Sequence, residues 1–140
     1  MKKLTFSFLD KYRDFGLLIL RLGLGGMFLV FHGWPKMAAG PARWADLGGA
    51  MEAFGITFLP AFWGFMAALA ETLGALLLAI GFLTRPALFF LFITMIVATA
   101  MHLNRGDGLG GSTYPIEIGI VFLALIFIGP GRFSVDAKFR

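Results

Sequence analysis

Hydrophobic positions gather into four long runs, about 15–33, 60–83, 86–102 and 116–130, separated by segments rich in charge, glycine or proline. A helix rising ~1.5 Å per residue needs roughly 20 apolar residues to cross a bilayer, so the pattern predicts four membrane-spanning helices, the fourth the shortest. Before the first run, residues 1–14 mix charge with bulky apolar positions. Leu4, Phe8, Tyr12 and Phe15 share one helical face, with Lys3, Asp10 and Arg13 elsewhere, which predicts an interfacial helix leading into the membrane. Arg21 interrupts the first apolar run and argues against a cleaved signal peptide. The longest connection, 37–60, carries Trp44, Leu47, Met51 and Phe54 at helical spacing and predicts a second interfacial helix. Anchoring by Trp44 is the favoured reading there over a functional lid.

The polar positions inside the runs carry the chemistry. Arg21, Gly25, Phe28 and His32 form one helical stripe, which Lys36 extends, although Pro35 is expected to end or kink the helix. Glu71 stands alone between Leu59 and Leu83, where a carboxylate costs at least a few kcal/mol unless it is neutral, paired or wet. Thr84, Arg85 and Pro86 read as a tight turn, and Met95, Thr99 and His102 as one face of the third span. The stretch NRGDGLGGSTYP reads as a flexible loop; its glycines do not match a dinucleotide-binding spacing, and no strand precedes them. Glu117 then falls in the first turn of the fourth span.

Composition agrees with a polytopic membrane protein. The chain is 59% hydrophobic, 14% charged and contains 17 phenylalanines, outside the range of soluble domains. At 140 residues it makes one domain, 1–140. The fold class is all-α: an antiparallel four-helix transmembrane bundle with short interfacial helices, whose packing can use the small residues Gly25, Ala67, Gly74 and Ala124. With no cysteine, thiol, thiolate-metal and iron–sulfur chemistry are excluded. The net charge of +4 sits at the ends of the apolar runs, so it marks topology and lipid contact rather than nucleic-acid binding. Lys2, Lys3, Lys11, Arg13, Arg85, Arg132, Lys138 and Arg140 fall on one side, and Lys36, Arg43 and Arg105 on the other. This bias predicts both termini in the cytoplasm.

Depth follows from the helical rise. Arg21 lies roughly 9 Å and Glu71 roughly 14 Å from the cytoplasmic face, which predicts an Arg21–Glu71 ion pair inside the bundle. His32, His102 and Glu117 all fall roughly 24 to 28 Å from that face, with Lys36 and Tyr114 at the rim of the same level. Three chemistries suit this trio: proton exchange with a quinone head group entering from the lipid, coordination of a divalent metal, or a structural hydrogen-bond network.

Three blocks, RLGLGGMFLVFHGWPK (Arg21 to Lys36), AETLGALLLAIGFLTR (Ala70 to Arg85) and IEIGIVFLALIFIGPGRFSVD (Ile116 to Asp136), resemble the DoxX family of small four-helix membrane proteins. The resemblance implies a cytoplasmic-membrane protein. It includes members associated with thiosulfate:quinone oxidoreductase activity and others linked to oxidative stress or to quinone and catechol responses. By position, the family's polar motif residues correspond to Arg21, His32, Lys36, Glu71, Arg85 and Glu117; His102 enters only through its depth. The expected function is a quinone-interacting subunit of a membrane oxidoreductase. Lys36, Tyr114, His32, His102 and Glu117 then line the substrate site, and the two histidines with Glu117 are the proton-transfer groups. No cofactor is assigned, quinone being the candidate, and no metal site is assigned. A soluble redox partner, self-association and membrane lipid are the expected partners. The alternative is a non-enzymatic scaffold or small-molecule binding protein.

Overall fold

The computed structural model describes residues 6–139. Of the expected first interfacial helix, Lys3 and Leu4 lie outside that range, as do Lys2 and Arg140 of the charge bias; Ser7–Tyr12 forms a short 3-10 helix.

Four spanning helices are present, each long and apolar enough to cross a membrane. The first, α1 (Arg13–Phe28), runs on through a π-helical turn at Leu29–Gly33 into α2 (Trp34–Ala38). Pro35 therefore does not end the helix. It sits in the first turn of α2, where a missing N–H is tolerated, and the wide π turn before it absorbs the register change. Two short elements follow, α3 (Pro41–Gly48) and a 3-10 turn at Gly49–Phe54. They lead into α4 (Pro60–Ile80), α5 (Thr84–Asn104) and α6 (Gly108–Ile128). Links of three residues make the last three helices antiparallel neighbours.

Two element boundaries differ from the sequence expectation. Thr84, Arg85 and Pro86 are not a turn but the first residues of α5. The Asp136 carboxylate accepts from the backbone N–H groups of Leu83 (2.8 Å) and Thr84 (2.9 Å). It thereby satisfies donors that a helix start otherwise leaves unpaired, and Pro86 occupies a position that needs none. The second difference is larger. Most of the expected glycine-rich loop is helix, because Gly106 and Gly108 take positive φ (84° and 65°) and turn the chain within a few residues. The helix α6 starts at Gly108, eight residues before the expected span, with Pro115 inside it.

The core lies where α1, α4, α5 and α6 meet, built from Phe28, Ala75, Leu78, Leu88, Leu91, Met95, Phe122 and Leu125. Phe28 and Phe122 meet edge to face at 5.3 Å. α4 is the central helix, packed against α1, α3 and α5, whereas α6 packs chiefly on α5. Of the four small residues expected at helix contacts, Gly25 and Gly74 are buried between helices, Ala67 faces a cavity and Ala124 is exposed.

Candidate functional site

The site begins with a close approach of two backbones. Gly33 lies so near α4 that a Cβ there would stand 2.7 Å from the Cα and N of Thr72. This approach and the π turn bring α2 across the middle of α4, and Lys36 Nζ donates to Glu71 Oε2 at 2.6 Å. The Glu71 side chain is 5% exposed and that of Lys36 27%. A carboxylate at this depth is tolerable because a charge-assisted partner meets it.

The expected Arg21–Glu71 pair is therefore corrected. Arg21 is buried at the opposite end of the bundle, near the termini, where Nη1 donates to the carbonyls of Leu78 (3.4 Å) and Ala79 (3.2 Å) and Nη2 to that of Phe133. The carboxylate that acts on it electrostatically is Asp136. Helix-end carbonyls carry partial negative charge and suit a cation as well as a carboxylate does. Gly81 makes room for the guanidinium: its φ is +71°, and a Cβ there would lie 2.2 Å from Arg21 Nη1.

Beside the Lys36–Glu71 pair lies a cavity of about 450 Å³, within the range of small-molecule sites. Its apolar walls come from α4 (Met66, Ala67, Ala70) and α5 (Ile93, Val97, Met101), with Thr94 among them. The cover is α3 and the turn after it, through Leu47, Gly48, Ala50 and Met51. Arg43, Asp46 and Arg105 add charge at the rim, all three exposed.

The cover is fastened rather than floating. Gly48 packs on Pro60 and Gly64 on Trp44, each so tightly that a Cβ would sit 1.7 Å from the facing carbonyl oxygen. Trp44 Nε1 donates to the Lys36 carbonyl at 2.9 Å, and its ring meets Phe65 edge to face at 5.0 Å. Trp44 thus ties α3 to α2 and α4 instead of acting as a simple interfacial anchor.

The expected His32, His102 and Glu117 trio is not assembled. His32 Nε2 and the Tyr114 hydroxyl share a hydrogen bond of 2.8 Å, and the imidazole stacks on Phe28 at 4.7 Å. His102 Nδ1 instead meets Asp107 Oδ2 at 2.7 Å in the α5–α6 link. Glu117, displaced inward by the early start of α6, is exposed on the outside of the bundle. Among the described residues no three His, Cys, Asp or Glu side chains gather as a metal-holding group, so the metal chemistry open to the trio loses its geometry. Of the expected substrate residues, Lys36 alone lines the cavity. His32 precedes Gly33, which packs on the Glu71–Thr72 backbone, and this places the His32–Tyr114 couple near the ion pair. Arg85, from the family motif, donates to the Ile126 carbonyl at 2.9 Å and joins α5 to α6 at the other end.

Spacing along the sequence missed the rim residues Arg43, Asp46 and Arg105. A signal was present: Arg43 and Arg105, with Lys36, are the cations on the side that the charge bias leaves poor in them.

A family model for DoxX matches residues 16–103. The chain is 32% identical to inner membrane protein YqjF of Escherichia coli over 133 residues, covering 91% of this chain and 95% of that protein. It is also 32% identical to inner membrane protein YphA of the same organism, covering 91% and 97%. An uncharacterized protein of Haemophilus influenzae shows 32% identity with coverage of 94% and 96%. No solved structure gives a significant match. The family model takes in more than half of the sequence, and the relatives align almost end to end; the chain belongs to the DoxX family.

Proposed function

We propose that the covered cavity between α4 and α5 binds the head group of a lipid-soluble quinone, as the membrane part of an oxidoreductase or oxidative-stress complex. The observation that carries this reading is an ion pair, Lys36–Glu71, set beside the apolar α4 and α5 walls of the cavity, below its charged rim. A quinone ring offers two carbonyl acceptors and a flat apolar body. The Lys36 ammonium has three donors, only one of which Glu71 needs, so it can also donate to a ring oxygen. Reduction of a quinone to its quinol takes two electrons and two protons. Both protons come from water through the ion pair, the Lys36 ammonium donating to the ring and the Glu71 carboxylate relaying, and a soluble redox protein supplies the two electrons. His32 and Tyr114 extend the hydrogen-bonded groups toward α6. His102 and Glu117 have no part in this site.

The exposed guanidinium groups of Arg43 and Arg105 at the rim favour a second reading, a non-enzymatic binding site for an anionic amphiphile. Titration of the purified protein with a short-chain ubiquinone or menaquinone analogue separates the two. The quinone reading predicts saturable binding weakened about tenfold or more by Glu71→Gln and little by Arg43→Gln. The amphiphile reading predicts the reverse order, with an anionic phospholipid competing. In the membrane we place both termini in the cytoplasm, from the charge bias across the four spans. A cysteine put at Lys138 is then labelled by an impermeant maleimide only after the cells are opened, and labelling of intact spheroplasts contradicts this orientation.

A further inference from the structure

Glu117 is the tenth of the 21 residues of α6, about 14 Å from the helix start and close to its middle. It is exposed, and among the described residues it has no hydrogen-bond or ion-pair partner. A carboxyl group facing hydrocarbon at that depth is costly unless it is neutral, paired or wet. Its surroundings on the helix are ordered. Gly110, Thr113, Glu117, Ile120, Ala124 and Phe127 follow alternating steps of three and four residues, and all six are exposed. That spacing is the seam of a left-handed helix pair, in which one polar residue at the seam fixes register and partner number. Glycine, threonine and alanine along it allow close approach of a second helix in a membrane.

We propose that α6 is the self-association surface of this protein, with a second copy as its occupant and Glu117 at the centre of the contact. Two copies inserted in the same direction and related by a two-fold axis along the membrane normal bring residues of equal depth together, so Glu117 meets Glu117. A carboxyl group suits such a contact because it is self-complementary. With both carboxyls protonated, each side chain donates through its O–H and accepts through its C=O, so the contact closes with no net charge in the lipid. The same contact removes both carboxyls from lipid, and α6 is free to make it because it packs within the bundle chiefly on α5.

The chain has no cysteine, so single cysteines report the contact without background. Thr113→Cys and Ile120→Cys lie on the seam, whereas Leu73→Cys and Ile96→Cys are exposed on α4 and α5. Oxidation in native membranes is expected to give disulfide-linked dimers at the two seam positions and several-fold less at the other two. Within the Ile120→Cys background, Glu117→Leu should lower the dimer association constant about 3- to 30-fold, the size of an interhelical hydrogen bond in a membrane. Glu117→Gln, whose amide also donates and accepts, should keep most of it. Equal cross-linking on all faces overturns the proposal, as does seam cross-linking that Glu117→Leu leaves unchanged. The comparison of faces keeps glutamate at 117 and decides the matter even where Glu117→Leu does not fold.

Discussion

Two cations inside this bundle, Arg21 buried and Lys36 half-buried, are held by different means. Arg21 is held by backbone carbonyls on α4 and the C-terminal segment, with the Asp136 charge behind them. Lys36 is held by the Glu71 carboxylate. A guanidinium fork can reach several carbonyls at once, while a lysine ammonium is a point charge that needs one close anion. Loss of either member of the Lys36–Glu71 pair strands the other charge in an apolar setting. We expect Glu71→Leu or Lys36→Met alone to destabilise by about 2 kcal/mol, less than for a fully buried pair because Lys36 keeps part of its exposure. The double variant should recover most of that loss, since two apolar side chains leave no charge unpaired. Thermal unfolding of all four proteins in one detergent checks this, and additive losses in the double variant contradict it. Sequence alone singled out Glu71 correctly as a buried charge in need of a partner, but it chose the wrong one. Counting depth along ideal helices treats only opposite charges as partners, whereas Arg21 is met by carbonyls freed where α4 ends.

Among the elements, α3 turns a cleft into a covered cavity. Its fit depends on backbone against backbone, at Gly48 on Pro60 and Gly64 on Trp44. Gly48→Ala forces α3 away from α4 and should destabilise by about 1 to 3 kcal/mol, the usual range for overpacking. The adjacent Gly49→Ala meets no atom within 4 Å and should change stability little. Melting temperatures of the two variants test the fit, and equal behaviour would mean that α3 is not fastened. The amphipathic spacing of Trp44, Leu47, Met51 and Phe54 made a helix here legible beforehand, but not what it packs on. That depends on two glycines contacting residues far along the chain. The start of α6 was illegible for a related reason. Two glycines at positive φ make a turn so short that the remaining glycines, Ser112 and Thr113 become helix, although their composition reads as loop.

At the scale of the whole molecule, the four spans were plain from the apolar runs, and the all-helical bundle follows from their short links. The site was only half legible. Lys36 and Glu71 were each marked, but the π turn that carries Lys36 to α4 has no signature beyond Pro35, and the shift of α6 breaks up a trio that equal depths had assembled. What results has the two cations at separate stations. Arg21 and Asp136 lock the end near the termini, where Arg132 also meets Asp14 at 2.7 Å. Lys36 and Glu71 lie beside the cavity under α3. Damage at the first station should therefore lower stability and leave binding by the folded protein intact, whereas damage at the second should alter binding as well.

The most direct test fills the cavity without touching a charge. Ala70 lines it from α4, and Ala70→Phe adds a ring where the quinone head group is proposed to sit. Binding of a short-chain quinone analogue should fall at least tenfold in Ala70→Phe, while His102→Ala, at a residue that does not line the cavity, binds as the unaltered protein does. Unchanged binding by a folded Ala70→Phe variant would contradict the placement of the site between α4 and α5.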